Sequence, residues 1–361
     1  YFFLGALAAA ITVYGFSILY GSCGTTVLHS ATSTAIADQF ANGQAMSTYT
    51  LIGMLLAFAG LSFKVAAVPF HAYAPDVYEG AASPITGLLG FLPKVAGFVA
   101  MIKLLGTCNW QLPETLMWML WIVAATTMTV GNVLALLQTN VKRMLAYSSI
   151  AHSGYMLIGL LVGPILGAGP MGDGVAALLF YLLIYGVMNL GAFGMLANFS
   201  RKGQPVETLD DLAGISRRTP LSAIGLTVCV FSLMGFPPTA GFLGKFYIFS
   251  SALSVGEGHP FHGPLVVLVV IAVINSAIGA GMDRASRCRQ RRIARSRCPW
   301  FIASNPPYHR PRTLPGSALS TALKMPRSRA FKCCGSARIC APPQALSKSG
   351  SGCAVSLTAR P

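Results

Sequence analysis

The sequence predicts an all-α fold, a polytopic bundle of transmembrane helices. Hydrophobic residues make up 54% of the chain and charged residues only 10%, against roughly 25% charged in ordinary soluble domains. Apolar runs of about 20 residues, the length a bilayer core demands, recur along positions 1–280. Lipid tolerates no unpaired backbone group, so each such run is expected to be helical.

About eight crossings follow, taken in chain order. Phe2–Gly21 is apolar from its first residue. It lacks the n-region and cleavage site of a signal peptide, and further spans follow it. Tyr1 is therefore expected to be an internal point of a longer protein. Thr50–Ala72 carries Lys64, the helix breaker Pro69 and His71 near its end. Ile85–Gly106 holds Lys94, with Lys103 close enough to the next loop to snorkel outward. Thr115–Leu137 is followed by Leu145–Leu161, which begins after Lys142 and Arg143 and contains His152. Val175–Ala197 precedes Ser222–Ser251, which the stretch "MGFPPTAGFLGK" interrupts at Pro237 and Pro238, ahead of Lys245. Leu265–Gly281 is the last span, and apolar periodicity stops at its end.

Charge divides the chain in two. Basic and acidic residues nearly balance over residues 1–280, whereas residues 281–361 hold most of the lysines and arginines and a single acid, Asp283. Almost all of the net charge of +16 lies in that tail. The expected organisation is a membrane domain, 1–281, and a basic Arg/Ser/Pro/Cys-rich tail, 282–361, without a packed core. The tail's mixture resembles a GC-rich gene read out of frame, and it has no C-x-x-C pair to hold a metal. Its arginines could neutralise phosphates, but no nucleic-acid partner is expected; the expected surroundings are the lipid bilayer.

If the chain alternates sides, Lys142, Arg143, Arg201, Lys202, Arg217 and Arg218 face one side together with the tail. The loops at 22–48, 164–173 and 252–262 contain no Lys or Arg. The positive-inside rule places the first set in the cytoplasm.

Lys64, Lys94 and Lys245 lie well inside spans, at roughly 2.5–3.5 kcal/mol each on insertion scales. An ammonium removed from water is disfavoured in its charged form. An amine held there can load and release a proton, and a row of amines bridged by water is a proton wire. Arginine, which keeps its proton, could not serve. His152, whose ordinary pKa lies near about 6.5, suits a relay between them, with a neutral core histidine as the structural alternative. His71 follows the Pro69 break and is expected to line a cavity or the interface. Prolines near lysines, Pro69 in one span and Pro237/Pro238 in another, read as discontinuous helices of the kind transporters place at their sites. Lys64 precedes its break and Lys245 follows its own, the reversal two inverted repeats would give.

Three other signals are structural. "GAGPMG" (Gly167, Gly169, Gly172) has no preceding strand and is a loop, not a nucleotide site. The sequon at Asn198 falls on the cytoplasmic side. Thr208 with Asp211 three residues on is expected to start a short surface helix by a capping box.

The segments "FKVAAVPFHAYAPDVYEGAASPITGLLGFLPKVAGF", "NVKRMLAYSSIAHSGYMLIG" and "SLMGFPPTAGFLGKFYIF" closely resemble the antiporter-like subunit N family of bacterial respiratory complex I, the proton-pumping NADH:quinone oxidoreductase. The resemblance runs from Tyr1 to about Ala280. Related cation/proton antiporter subunits share parts of it. It implies a bundle with two inverted repeats, each with a broken helix, and proton translocation through Lys64, Lys94, His152 and Lys245. It implies no redox centre, catalytic redox residue or bound cofactor in this chain; NADH, FMN, iron–sulfur clusters and quinone would belong to partner subunits. The implied partners are the other membrane-arm subunits, in the bacterial inner membrane. The family's first helices, and the glutamate that pairs with the first lysine, have no counterpart in this sequence, so the first repeat is expected to be incomplete. The basic tail stands where the family has a closing helix. Pro93, directly before Lys94, also departs from the family pattern.

Overall fold

Which helices can cross a bilayer unaided is set by length and apolarity, and six meet both conditions among the described residues of the computed structural model. The structure describes residues 2–28, 47–165 apart from 109 and 111, 169, 172–199, 208–256 apart from 210 and 213, 259, and 261–296, with 280–296 as backbone only. All of these fall in one unit, Tyr1–Ala303; the second, Ser304–Pro361, lies outside the described residues. The expectation of an out-of-frame tail therefore falls almost wholly outside them.

The elements are α1 (Phe2–Cys23), α2 (Thr48–Lys64), α3 (Tyr73–Gly80), α4 (Ser83–Gly106), α5 (Glu114–Leu137) and α6 (Val141–Val162). They continue with α7 (Gly174–Phe199), α8 (Ile215–Arg218), α9 (Pro220–Met234), α10 (Ala240–Leu253) and α11 (His262–Ser296). Among the described residues there is no strand, only an isolated bridge between Asn140 and Thr208. The helices long and apolar enough to cross are α1, α4, α5, α6, α7 and the part of α11 up to Gly279. The other two expected spans are divided. Thr50–Ala72 becomes α2 and a turn leading to α3, and Ser222–Ser251 becomes α9 and α10. The backbone of α11 runs on as helix beyond Gly281.

The core is built around α6. Nearly every side chain from Leu145 to Leu161 is buried, with α5 packed along one side. Small residues allow that approach: Gly131 lies against the backbone of Ala151, and Gly154 against that of Met128. Gly15, Gly53 and Gly60 do the same for α1 and α2. The remaining faces of α1 are exposed at Phe2, Phe3, Leu7, Val13 and Tyr14.

Two local expectations need correction. Lys142 and Arg143 are not in a loop. Helix α6 begins at Val141, and the Asn140 side chain caps it by accepting from the Lys142 and Arg143 N–H groups. Thr208 and Asp211 do make the reciprocal bonds of a capping box, but no helix follows directly. Gly214 takes a left-handed φ of 85°, and α8 starts only at Ile215.

Candidate proton path

Each break leaves helix-end backbone groups without their helical partners, and the surrounding side chains supply new ones. After Lys64 the chain turns through Ala66 (φ 56°) and a cis peptide at Val68–Pro69. The Val65 carbonyl accepts from Ser153 Oγ of α6 at 2.7 Å, and the Val68 N–H donates to Thr127 Oγ1 of α5 at 3.0 Å. Tyr73 OH donates to the Phe63 carbonyl at 2.7 Å. At the second break Gly235, with φ 83°, ends α9. Pro237 and Pro238 follow, and Ser232 Oγ receives the Gly241 N–H of α10 at 3.1 Å. A broken helix inside a membrane persists only when it is satisfied in this way.

The predicted lysines occupy different environments. Lys94 and Lys245 are 2% and 5% exposed, and His152 is 3% exposed. Lys64, at the C-terminus of α2, is half-buried. It meets Lys94 across a cavity of about 10 Å³ that Tyr73, Val77, Tyr78 and Pro93 also line. That volume is near the lower bound for one water, roughly 10–15 Å³. Helix α4 runs through Pro93 unbroken, yet proline has no N–H to give the carbonyl of Leu89, another residue of the cavity wall.

Lys94 and His152 share no hydrogen bond among those of the described residues. Lys94 Nζ donates to Ser149 Oγ at 2.6 Å and to the Ser149 carbonyl, and it lies 5.0 Å from the centre of the Tyr185 ring. Ser149 Oγ also receives the Tyr185 hydroxyl at 2.7 Å and meets Tyr78 OH at 3.3 Å. One turn along α6, His152 Nδ1 pairs with Tyr181 OH at 2.6 Å and Nε2 with Ser148 Oγ at 3.3 Å. A second cavity, about 30 Å³, joins His152 to Lys245 between Asn132, Ser148 and Tyr155. At roughly 10–15 Å³ per water it has room for more than one. Lys245 Nζ donates to the Met234 carbonyl at 3.0 Å and the Leu233 carbonyl at 3.3 Å, with Ser276 Oγ at 3.4 Å. No carboxylate pairs with any of these amines among the described residues; the ion pairs found there join Arg143 to Asp76 and Glu79.

From half-buried Lys64 on α2, buried amines, hydroxyls and an imidazole thus follow one another through α4, α6 and α7 to α10. The family described as "NADH:quinone oxidoreductase/Mrp antiporter, TM" matches residues 1–278. The chain belongs to this family. Subunit N of the NADH-quinone oxidoreductase of Trichlorobacter lovleyi is 45% identical over 277 residues, which are 77% of this chain and 53% of that one. A chain of respiratory complex I from Thermus thermophilus, solved with bound aureothin, is 34% identical at a TM-score of 0.60, covering 78% of this chain and 56% of that one. A chain of the membrane-bound sulfane sulfur reductase, an archaeal respiratory membrane complex, is 26% identical at a TM-score of 0.63, covering 78% and 54%. The chain spans about half the length of the curated relatives it matches.

In this family member the sequence reading locates the amines and His152 but misses what joins them. Ser149, Ser153, Tyr78, Tyr181 and Tyr185 are buried polar groups with partners in distant segments of the chain. One signal was available, the Ser/His/Tyr cluster "YSSIAHSGY" in an otherwise apolar span. His71 is half-buried beyond the cis proline, its Nδ1 enclosed without a hydrogen-bond partner. It is not among the residues lining the Lys64–Lys94 cavity.

Proposed function

We propose that this chain is part of a proton-translocating membrane-arm subunit of an NADH:quinone oxidoreductase. The observation that carries the reading is the buried series Lys94, His152 and Lys245, enclosed by hydroxyls and carbonyls rather than by acids. An amine paired with a carboxylate is held charged; an amine facing neutral acceptors in a dry interior exchanges its proton more readily. Lys64 takes a proton at the first break. Lys94 on α4 and His152 on α6 pass it on, and Lys245 holds it at the second break. Electron transfer from NADH to quinone, with its FMN and iron–sulfur clusters, belongs to partner subunits. A charge or conformational change in a neighbouring membrane-arm subunit drives the switch at Lys64.

The reading extends to location and domains. The subunit sits in a bacterial inner membrane with the Lys142/Arg143 end in the cytoplasm. Residues 1–281 form the membrane domain, and 282–361 are an out-of-frame tail. Translating the gene's other two frames beyond codon 281 tests the last point: a hydrophobic continuation supports it, and its absence counts against it.

The principal test replaces the positions matching Lys64 or Lys94 with Met in an intact homologue and measures NADH-driven proton uptake into inverted vesicles. The expected result is a lowered proton yield per NADH oxidised; an unchanged yield counts against the proposal. The alternative is a stand-alone or multisubunit monovalent cation/proton antiporter subunit, in line with the antiporter in the family description; it would instead exchange cations for protons in vesicles without NADH.

A further inference from the structure

We propose that Ser149 and Tyr78 form a hydroxyl relay through which Lys94 exchanges its proton with the cavity it shares with Lys64. The inference rests on the proton-translocating reading; Lys94 itself lines that cavity, but its Nζ hydrogen-bonds to Ser149, and the relay starts there.

The geometry at Ser149 over-determines its hydroxyl. A serine oxygen has two lone pairs and one proton to give. Lys94 Nζ lies 2.6 Å from Oγ, and an ammonium can only donate. Tyr185 OH donates to the same oxygen at 2.7 Å. Both lone pairs are then filled, so the Ser149 proton must point at the remaining neighbour, Tyr78 OH, at 3.3 Å. Tyr78 in turn lines the cavity that also holds Lys64. The row Lys94, Ser149, Tyr78, cavity is polarised in one direction while Lys94 is charged. Once Lys94 is neutral its lone pair accepts, and the row reverses.

The transfer conserves protons and charge. An N–H bond of Lys94 breaks as an O–H bond forms at Ser149 Oγ. The original Ser149 proton passes to the Tyr78 oxygen, and the phenol releases its own proton to a water in the cavity, bound for Lys64. Both hydroxyls end neutral, and rotation of each O–H resets the row. The reverse sequence loads Lys94 from Lys64. No ionised serine or phenol persists, as burial requires: both residues are almost fully enclosed, and the charge remains on amines.

Two elements hold the relay in register. Tyr78 sits on the short helix α3, pinned by Lys142 Nζ, which donates to the Ala81 carbonyl at 2.9 Å. Gly90 of α4 leaves the space that Tyr78 OH occupies, since a Cβ there would lie 2.9 Å from that oxygen.

The test uses the intact complex carrying this chain in inverted native vesicles, with NADH-driven proton uptake as the readout and NADH oxidation as the check on assembly. Ser149→Ala and Tyr78→Phe are each expected to slow proton uptake by roughly a hundredfold or more, the lower end for loss of a positioned proton-transfer group. The double variant is expected to be no slower than the worse single one, because both interrupt a single route. Each single variant is also expected to lose the H₂O/D₂O rate ratio of the parent. Wild-type uptake in either single variant overturns the relay, as do losses that multiply in the double variant. Tyr78→Phe removes one oxygen only, and decides the matter if Ser149→Ala fails to assemble. A parallel Lys94→Met variant separates the two levels: full uptake there overturns the proton-path reading, whereas loss there with normal uptake in Tyr78→Phe overturns only the relay.

Discussion

Lys245 Nζ lies 3.0 Å from the carbonyl oxygen of Met234, the last residue of α9, so the amine of one half of a broken helix satisfies the end of the other. The break at Pro237 and Pro238 removes the N–H groups that would have continued α9. Lys245 supplies N–H donors to the Met234 and Leu233 carbonyls in their place. This gives the residue two separable duties, closing the break and holding a proton.

Lys245→Arg keeps a donor at the α9 carbonyls but does not surrender its proton. It is expected to hold the detergent unfolding midpoint near that of the parent while abolishing proton uptake. Lys245→Met should lose both, with about 1–3 kcal/mol of stability gone because buried carbonyls are left unsatisfied. Equal stability in the Met variant would show that the carbonyls find other partners.

Lys142 and Arg143 are neighbours in sequence with opposite expected weight. Lys142 is 7% exposed and its amine caps the carbonyl end of α3. Arg143 pairs with Asp76 at 3.0 Å and Glu79 at 2.7 Å, but the Asp76 side chain is 73% exposed. Lys142→Met should therefore destabilise by about 1–3 kcal/mol, and Arg143→Gln by about 0–1 kcal/mol with loss at raised salt. Chemical unfolding at two ionic strengths checks both, and a larger effect at Arg143 would reverse the ranking.

Close packing of α5 on α6 turns on Gly154. A Cβ there would lie 2.6 Å from Met128 Cγ and 2.7 Å from the Met128 backbone nitrogen, whereas nothing lies within 4 Å of one added at Gly194. Gly154→Ala should cost about 1–3 kcal/mol by overpacking, and Gly194→Ala should be neutral. Thermal aggregation midpoints in detergent distinguish the two.

Aromatic residues mark one end of the bundle. Trp118 and Trp121 meet near the start of α5, Trp118 packs edge-on against Phe261, and Trp121 Nε1 donates to the Pro264 carbonyl at 2.8 Å. Tryptophans of this kind seat at the headgroup level. The fluorescence lost in Trp118→Phe should be quenched more by lipids brominated near the headgroup than near the chain end. The opposite order would move the membrane boundary along α5.

What was legible follows from the range of each interaction. Length and apolarity act within a segment, so the spans, both breaks and the lysines beside them can be read from the chain. The start of α6 was misread because Lys142 and Arg143 look like loop residues until α3 offers them carbonyls and carboxylates. The hydroxyls of Ser149, Tyr78 and Tyr185 stayed hidden for the same reason: they are 36 and 71 residues from their partners along the chain. Polar groups in a span announce a need for a partner without naming it.

By itself the sequence determined a helical membrane bundle, where its helices break, and which amines lie inside it, because the solvent preference of a 20-residue run is a property of that run. Tertiary structure decided which amines are dry and what each of them faces. Lys94 and Lys245 are enclosed and Lys64 is only half so. Their acceptors are a serine hydroxyl and helix-end carbonyls from other segments. Desolvation and hydrogen bonding are set by the packing of several helices at once, and no single segment encodes that.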